Sequence, residues 1–278
     1  MKKIVLRLLN KFKLLKYLNL TYHADINKHK ISIPIHRGMG YNNLYMSELW
    51  MIDVLTLCQL TEKEVFIDVG VNIGQTLIKF KTVYPHMEYI GFEPNSHCVY
   101  YVEMLRDQNN WENIHLIPSG ISDNVGLGIL EHYADDTTDS SASIIANYRE
   151  GSKVYQRDVV TLLDVASVEH IWENKKVSAI KIDVEGAELG AIKSFEEILK
   201  KDRPYVLVEI LPVYDGSNIN RLESQIAIEK ILNDLEYKIY RIIKNTDGRL
   251  DSIVSIDTIG IHDNLEWCDY IFSPKALI

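Results

Sequence analysis

The chain has 278 residues, of which 46% are hydrophobic, so it can bury a sizeable core and is not a disordered protein. Its net charge of -9 is unevenly distributed. Residues 1–20 contain six Lys or Arg and no acid, which leaves 24 basic and 39 acidic residues in 21–278. Because a body with this excess of acids repels a phosphate backbone, the composition argues against a nucleic-acid partner.

The basic N-terminal segment predicts an amphipathic helix over residues 1–20. One face of that helix collects Ile4, Leu8, Phe12 and Leu15, with cations on its flanks. The cations interrupt the apolar stretch that a signal peptide would need. Two interpretations stay open: the helix lies in an anionic membrane interface, or it packs on the domain or on a second subunit.

The cysteines indicate the compartment. Cys58, Cys98 and Cys268 are far apart and form no CxxC pair, so they suggest neither a disulfide framework nor a zinc site. No apolar run approaches the length of a transmembrane helix. We therefore expect a cytoplasmic protein, peripheral at the inner face of the membrane if the N-terminal helix binds lipid.

Strands and helices alternate along most of the chain. After a short strand at 31–36, the predicted elements are a helix over 47–60, strand 65–69, helix 75–84, strand 89–92, a helix after Pro94, strand 114–117, strand 179–183, a helix around 192–199, strand 205–209, a helix around 228–235, and strands near 237–243 and 267–272. Residues 123–164 break the alternation, with strands at 126–133 and 153–159 around a polar loop. The pattern predicts an α/β, Rossmann-like fold in one domain (21–278), with a mostly parallel sheet, helices on both faces and a small β insertion.

The first motif is DVGVNIG, Asp68 to Gly74, at the turn between a strand and a helix. Gly70 and Gly74 permit positive φ and a close approach of a ligand to the backbone, and Asn72 lies between them. The helix that follows presents free N–H groups at its start. A nicotinamide fingerprint would instead read G-x-G-x-x-G, with its acid about 20 residues later.

The second motif is Glu93-Pro94, at the end of the neighbouring strand. A carboxylate there can accept hydrogen bonds from both hydroxyls of a ribose. An acid at the start of a helix, favoured by the helix dipole, is the structural alternative. Its pairing with Asp68 across adjacent strands favours the ribose interpretation.

The third motif is KIDVEGAE, residues 181–188, after another predicted strand. In an open α/β sheet, ligands bind at the carboxyl ends of the strands, so Asp183 and Glu185 should lie beside the bound ligands. Glu188 is better explained as an acid in the first turn of a helix.

Together, DVGVNIG, FEP and IKIDVEGAE resemble the FkbM family of methyltransferases. Ser122-Asp123, RDVVTLLDV and RPYVLVE add to the resemblance, which covers roughly residues 60–212. It implies a class I methyltransferase fold, S-adenosylmethionine as methyl donor and an oxygen acceptor on a sugar, glycan, glycolipid or natural product. The core that binds the donor would span about 60–212.

The positions of the three motifs, together with the resemblance, predict a site. Asp68, Gly70, Asn72, Gly74 and Glu93 would hold the donor, and the usual adenine-contacting acid is replaced by Pro118-Ser119-Gly120, so Ser119 or backbone would serve there. Asp183 and Glu185 would face the acceptor, either as a general base or as ligands of Mg²⁺, with Glu209 as a further ligand. If neither acid is the base, His36 and His132 are the next candidates. Two other functions stay open: a nicotinamide-dependent sugar oxidoreductase, and a non-catalytic Rossmann-like binding module.

Overall fold

The computed structural model describes residues 3–45, 47–149, 151–172, 175–215 and 218–277. The chain begins with helix α1 (Lys3–Lys11) and an antiparallel hairpin of β1 (Asn19–Ile26) and β2 (His29–His36). The helix is therefore shorter than the predicted residues 1–20. It ends at Lys11, Lys13 adopts a positive φ of 56°, and Leu15 is buried, so that the chain turns directly into β1.

An eight-stranded sheet forms the centre of the molecule. Its strands, in chain order, are β3 (Val65–Val69), β4 (Glu88–Phe92), β5 (Ile114–Ile117), β9 (Val177–Ile182), β10 (Tyr205–Glu209), β11 (Lys238–Lys244), β12 (Leu250–Ile256) and β13 (Asp269–Ser273). Their order across the sheet is β12-β11-β13-β10-β9-β3-β4-β5. The five strands from β10 to β5 are parallel, and β13 runs antiparallel to both of its neighbours.

Helices cover both faces of the sheet. They are α2 (Trp50–Cys58), α3 (Gln75–Lys81) and α4 (Ser96–Asn109) on one face, and α5 (Val165–Val168), α6 (Glu188–Ser194), α7 (Glu196–Lys201) and α8 (Ile219–Asp234) on the other. Each face has its own buried apolar cluster. Since β3, β9 and β13 are buried along their whole length, they read in sequence as apolar runs rather than as alternating patterns.

The predicted β insertion is present. It consists of β6 (Gly120–Ile121), β7 (Gly126–His132) and β8 (Gln156–Leu163), which form a separate three-stranded sheet in the order β6-β8-β7. Residues 133–149, here called the insertion loop, lie between β7 and β8. The N-terminal hairpin packs elsewhere, on α4, where the side chain of Asn109 bonds both backbone groups of Ser32.

Candidate functional site

The candidate site is a cavity at the carboxyl ends of β3, β4 and β9, here called the donor cavity. It encloses about 750 Å³. The turn after β3 forms one wall, the end of β4 a second and the acidic motif after β9 a third, while the insertion loop covers it. Among its lining residues are Gly70, Asn72, Glu93, Gly120, Asp183 and Glu185. Six of the nine predicted site residues thus line one cavity.

The turn after β3 brings the backbone close to its neighbour. Gly70 has a φ of 88°, and a Cβ atom there would lie 1.9 Å from the carbonyl oxygen of Asp183. Gly74, with a φ of 76°, directly precedes α3, and Asn72 also has a positive φ. Only glycine satisfies both the conformation and the close contact at position 70, so the turn is shaped by sterics as the motif predicted.

Asp68 lies behind this turn and not on the cavity wall. Its side chain is fully buried, accepts a hydrogen bond from the Tyr89 hydroxyl, and has one carboxylate oxygen 3.4 Å from the Lys181 ammonium. Lys181 in turn donates to the carbonyl oxygen of Gly70 at 3.1 Å. In this structure Asp68 therefore acts on the turn through Lys181, and its predicted contact with the donor stays a prediction.

Glu93 does line the cavity, and its carboxylate is held by two backbone groups. The N–H of Asn72 donates to Oε2 at 2.7 Å and the N–H of Asn95 donates to Oε1 at 2.8 Å. Burial raises the pKa of Glu93 to about 7, although both bonds oppose the rise. Each oxygen retains a second lone pair, so the geometry is compatible with the predicted ribose contact.

Ser119 and Gly120 stand where an adenine-contacting acid would lie. Gly120 lines the donor cavity. The hydroxyl of Ser119 is buried and has no hydrogen-bond partner within the described part of the chain. A buried hydroxyl without a partner is uncommon. Ser119 itself does not line the donor cavity, so its contact with the donor stays a prediction.

The predicted catalytic acids differ in their surroundings. Asp183 is about 39% exposed and forms an ion pair with Lys181 at 3.1 Å. Glu185 is paired with Arg149 of the insertion loop at 3.0 Å, and its backbone carbonyl accepts a bond from Ser143 of the same loop. Burial raises the pKa of Glu185 to about 7; Arg149 opposes the rise and Asp183 adds to it. Glu185 thus fastens the cover of the cavity, whereas Asp183 remains accessible.

A second cavity, here called the acidic cavity, adjoins the first. It encloses about 540 Å³ and shares Asp183 and the turn after β3 with the donor cavity. Its wall carries four carboxyl groups, those of Glu48, Asp183, Glu209 and Asp269. Trp50 also lines it, with an indole N–H that has no partner among the described residues.

Lysines neutralise most of these acids. Glu48 is paired with the buried Lys79 at 2.9 Å, and Asp269 contacts Lys244. Burial acts to raise the pKa of Glu48, but the Lys79 ammonium holds it below its usual value.

Glu209 is the exception among the cavity acids, because no ion pair reaches it within the described residues. Its nearest polar partner is the thiol of Cys268, which donates at 3.3 Å. Burial, followed by the charges of Asp183 and Asp269, raises the pKa of Glu209 to about 9. Glu209 is therefore a neutral carboxylic acid near pH 7 and can donate a hydrogen bond.

The residues described do not assemble a metal site. Among them, no group of three or more His, Cys, Asp or Glu side chains is placed to hold an ion. Asp183 and Glu209 both line the acidic cavity, but the partner of Asp183 is an ammonium group. The prediction of Mg²⁺ stays untested, and no step below uses a metal.

Three side chains of the site, those of Lys181, Glu48 and Asp269, were given no role from the sequence. Lys181 lies inside the third motif but received no role, because two of its partners, Asp68 and the carbonyl of Gly70, belong to β3 and the turn after it. Glu48 and Asp269 come from opposite ends of the chain and give no local pattern.

His36 and His132, the reserve candidates for a base, line neither cavity, and His132 is instead paired with Asp158 at 3.0 Å.

The insertion loop is held by hydrogen bonds of its own. Asp139 of this loop accepts hydrogen bonds from the backbone of Tyr133, Ala134 and Ser141. Asp139, Ser140 and Ala142 line the donor cavity. The loop is therefore an ordered cover of that cavity.

The sheet order, with a glycine turn at the end of its central parallel strand, defines a class I, Rossmann-like methyltransferase fold. The model of the family described as "Methyltransferase FkbM domain" matches residues 68–239, more than half of the chain. The chain belongs to the FkbM family of methyltransferases, which use S-adenosylmethionine. Membership decides against the nicotinamide oxidoreductase alternative.

Solved structures with related folds share little sequence with this chain. An FkbM methyltransferase from Methylobacillus flagellatus is 15% identical over 77% of this chain and 44% of its own, with a TM-score of 0.47. This chain thus spans less than half the length of that protein. Fibrillarin from Aeropyrum pernix, with bound S-adenosylmethionine, is 13% identical over 91% and 82%, with a TM-score of 0.47.

A putative caffeoyl-CoA O-methyltransferase from Staphylococcus aureus is 12% identical over 84% of this chain and 88% of its own, with a TM-score of 0.46. No curated protein matches the chain.

Proposed function

We propose that the protein transfers a methyl group to a hydroxyl oxygen of a sugar, carried on a glycan, a glycolipid or a similar hydroxylated natural product. The donor would occupy the donor cavity and the acceptor the acidic cavity. The observation that carries the proposal is that the two cavities meet at Asp183, which lines both. A carboxylate at that junction lies where an acceptor hydroxyl would lose its proton.

The lining of the acidic cavity supports a hydroxylated acceptor. Carboxylates accept hydrogen bonds from hydroxyl groups, and the neutral Glu209 supplies a donor in the same cavity. The unpartnered indole N–H of Trp50 is a second donor that an acceptor oxygen would satisfy. Because the ion pairs of Glu48 and Asp269 balance their charge, a neutral polar acceptor fits better than a strongly charged one.

When bound, S-adenosylmethionine supplies a methyl group already activated on a sulfonium. The protein has to align the acceptor oxygen with that methyl and remove the hydroxyl proton. Asp183 would accept the proton, and Lys181 at 3.1 Å would hold the carboxylate in place. Glu185, tied to Arg149, would keep the insertion loop closed and water out of the donor cavity.

The test compares two carboxyl-to-amide variants. Asp183→Asn keeps the shape of the side chain but removes the base, so turnover should fall by about 10²-fold or more while affinity for S-adenosylhomocysteine barely changes. Glu185→Gln is the matched control, since it alters a carboxylate of the donor cavity only, and a smaller loss of turnover is expected. Transfer of a labelled methyl group to a panel of glycosides measures both.

The identity of the methylated atom is tested on the product. Nuclear magnetic resonance should show a methyl ether; a new carbon–carbon or carbon–nitrogen bond would refute O-methylation. Wild-type turnover in Asp183→Asn would remove Asp183 as the base. Tight binding of S-adenosylhomocysteine without turnover on any hydroxylated acceptor would favour the non-catalytic binding module instead.

A further inference from the structure

The N-terminus presents an apolar surface that the fold leaves uncovered. Helix α1 packs on the core through Leu6, which is fully buried, and not through the stripe of Ile4, Leu8 and Phe12. The side chains of that stripe are 69%, 51% and 66% exposed, respectively. Of the predicted apolar face, Leu15 therefore packs into the core of the domain, whereas Ile4, Leu8 and Phe12 do not.

The surface continues beyond the helix. Leu14 and Tyr17 are also exposed, the latter by 73%, and they follow α1 directly in the chain. We refer to Ile4, Leu8, Phe12, Leu14 and Tyr17 as the N-terminal surface. An uncovered group of large apolar side chains in one short segment marks an interaction site, because soluble proteins rarely expose such groups together.

Positive charge surrounds the same surface. The exposed cations are Lys3, Arg7, Lys11, Lys13 and Lys16, and within the described residues none of them forms an ion pair with a carboxylate. Residues 21–278 carry 24 bases against 39 acids. A uniformly anionic partner would therefore attract the N-terminal surface and repel the rest of the molecule.

We infer that the N-terminal surface docks the protein on an anionic lipid bilayer, with Ile4, Leu8 and Phe12 inserted among the acyl chains and the cations at the headgroups. Apolar residues on one side of a short helix and Lys or Arg on its flanks are the features by which interfacial helices bind. Among the described residues, no helix is long and apolar enough to cross a membrane. Binding through a surface of this kind is peripheral and reversible.

Vesicle co-sedimentation of the full chain tests the inference. The wild-type protein should bind vesicles containing phosphatidylglycerol at low salt, ignore pure phosphatidylcholine vesicles, and be released as salt shortens the screening length to a few ångströms at about 1 M. Lys11→Gln/Lys13→Gln/Lys16→Gln should weaken binding about 100-fold, at about fivefold for each cation.

Matched triple and double variants separate the apolar contribution. Ile4→Ser/Leu8→Ser/Phe12→Ser should abolish binding, whereas Leu127→Ser/Val159→Ser, which removes two equally exposed apolar side chains from the insertion, should not. All variants should keep wild-type affinity for S-adenosylhomocysteine, which shows that they fold.

Three results would overturn the inference. The first is wild-type protein that ignores phosphatidylglycerol vesicles, and the second is a serine triple variant that binds them normally. The third is a vesicle-free dimer that the serine triple variant converts to a monomer, which would make this surface a contact between copies of the chain. Vesicle binding needs neither donor nor acceptor, so its failure leaves the proposed function untouched.

Discussion

Replacing Lys181 by methionine tests how the centre of the site is held. The ammonium of Lys181 lies between the carboxylates of Asp68 and Asp183 and is itself only 9% exposed. Without it, the fully buried Asp68 keeps a single polar partner, the hydroxyl of Tyr89. Removing one partner of a buried ion pair costs about 3–5 kcal/mol.

Protonation of Asp68 limits that cost. Burial already raises the pKa of Asp68, and the loss of the ammonium raises it further. At pH 7, protonating a carboxyl with an ordinary pKa near 3.9 costs about 4 kcal/mol, and at pH 5 it costs about 1.5 kcal/mol. Because the folded-state pKa is raised, stability is lost as pH rises, and the wild type already bears part of that loss. Lys181→Met should therefore be destabilised relative to wild type by up to about 4 kcal/mol at pH 7 and by at most about 1.5 kcal/mol at pH 5.

Urea unfolding at both pH values measures this difference. Asp68→Asn and the double variant with Lys181→Met complete a mutant cycle, and the double variant should be more stable at pH 7 than the Lys181→Met protein. Equal destabilisation at pH 5 and pH 7 would refute the reasoning. So would additivity of the two single changes within about 0.5 kcal/mol, since neighbours that interact are not additive.

Two further predictions concern Glu93, which is buried, and Glu188, which is partly exposed. Glu93→Ala should weaken binding of S-adenosylhomocysteine by about 1.5–3 kcal/mol, as expected for hydrogen bonds to a charged group; calorimetry showing wild-type affinity would remove Glu93 from the site. Burial raises the pKa of Glu188 to about 7, so its protonated form stabilises the fold at low pH and that contribution is lost as pH rises from about 4.5 to 7. Glu188→Gln should reduce this loss of unfolding free energy, by up to about 3 kcal/mol above pH 7, whereas Glu223→Gln, at an exposed position, should not. Parallel curves of melting temperature against pH for wild type and Glu188→Gln would contradict this.

The sequence predicted the central strands well because burial leaves a clear signature there. Strands 65–69, 114–117 and 205–209 have the predicted bounds, since each is a short apolar run between turn residues. Strand β12 was missed because it lies at the edge of the sheet and most of its side chains are partly or fully exposed. The N-terminal helix was overextended because helical periodicity does not register the turn at Lys13.

The features of the site also fall into those that the sequence predicts and those that it does not. Backbone requirements, such as the positive φ of Gly70, are written into local motifs and were predictable. Partnerships across the fold were not: Lys181 is tied to Asp68 of a different strand, and the acidic cavity joins Glu48 to Asp269. The side of α1 that faces solvent depends on where the domain presents an apolar surface for the helix to pack against. Helical periodicity alone therefore could not predict whether Ile4 and Leu8 are exposed or buried.

The position of β13 has a consequence for synthesis of the protein on the ribosome. This strand is completely buried and pairs on one side with β10 and on the other with β11. Because β13 follows β10, β11 and β12 in the chain, β11 and β12 cannot join the parallel strands until residues 269–273 have left the exit tunnel. The nascent chain therefore holds one edge of β10 and one edge of β11 unpaired from the time each strand emerges until β13 follows, and these edges are the points at which incomplete chains would aggregate or require a chaperone.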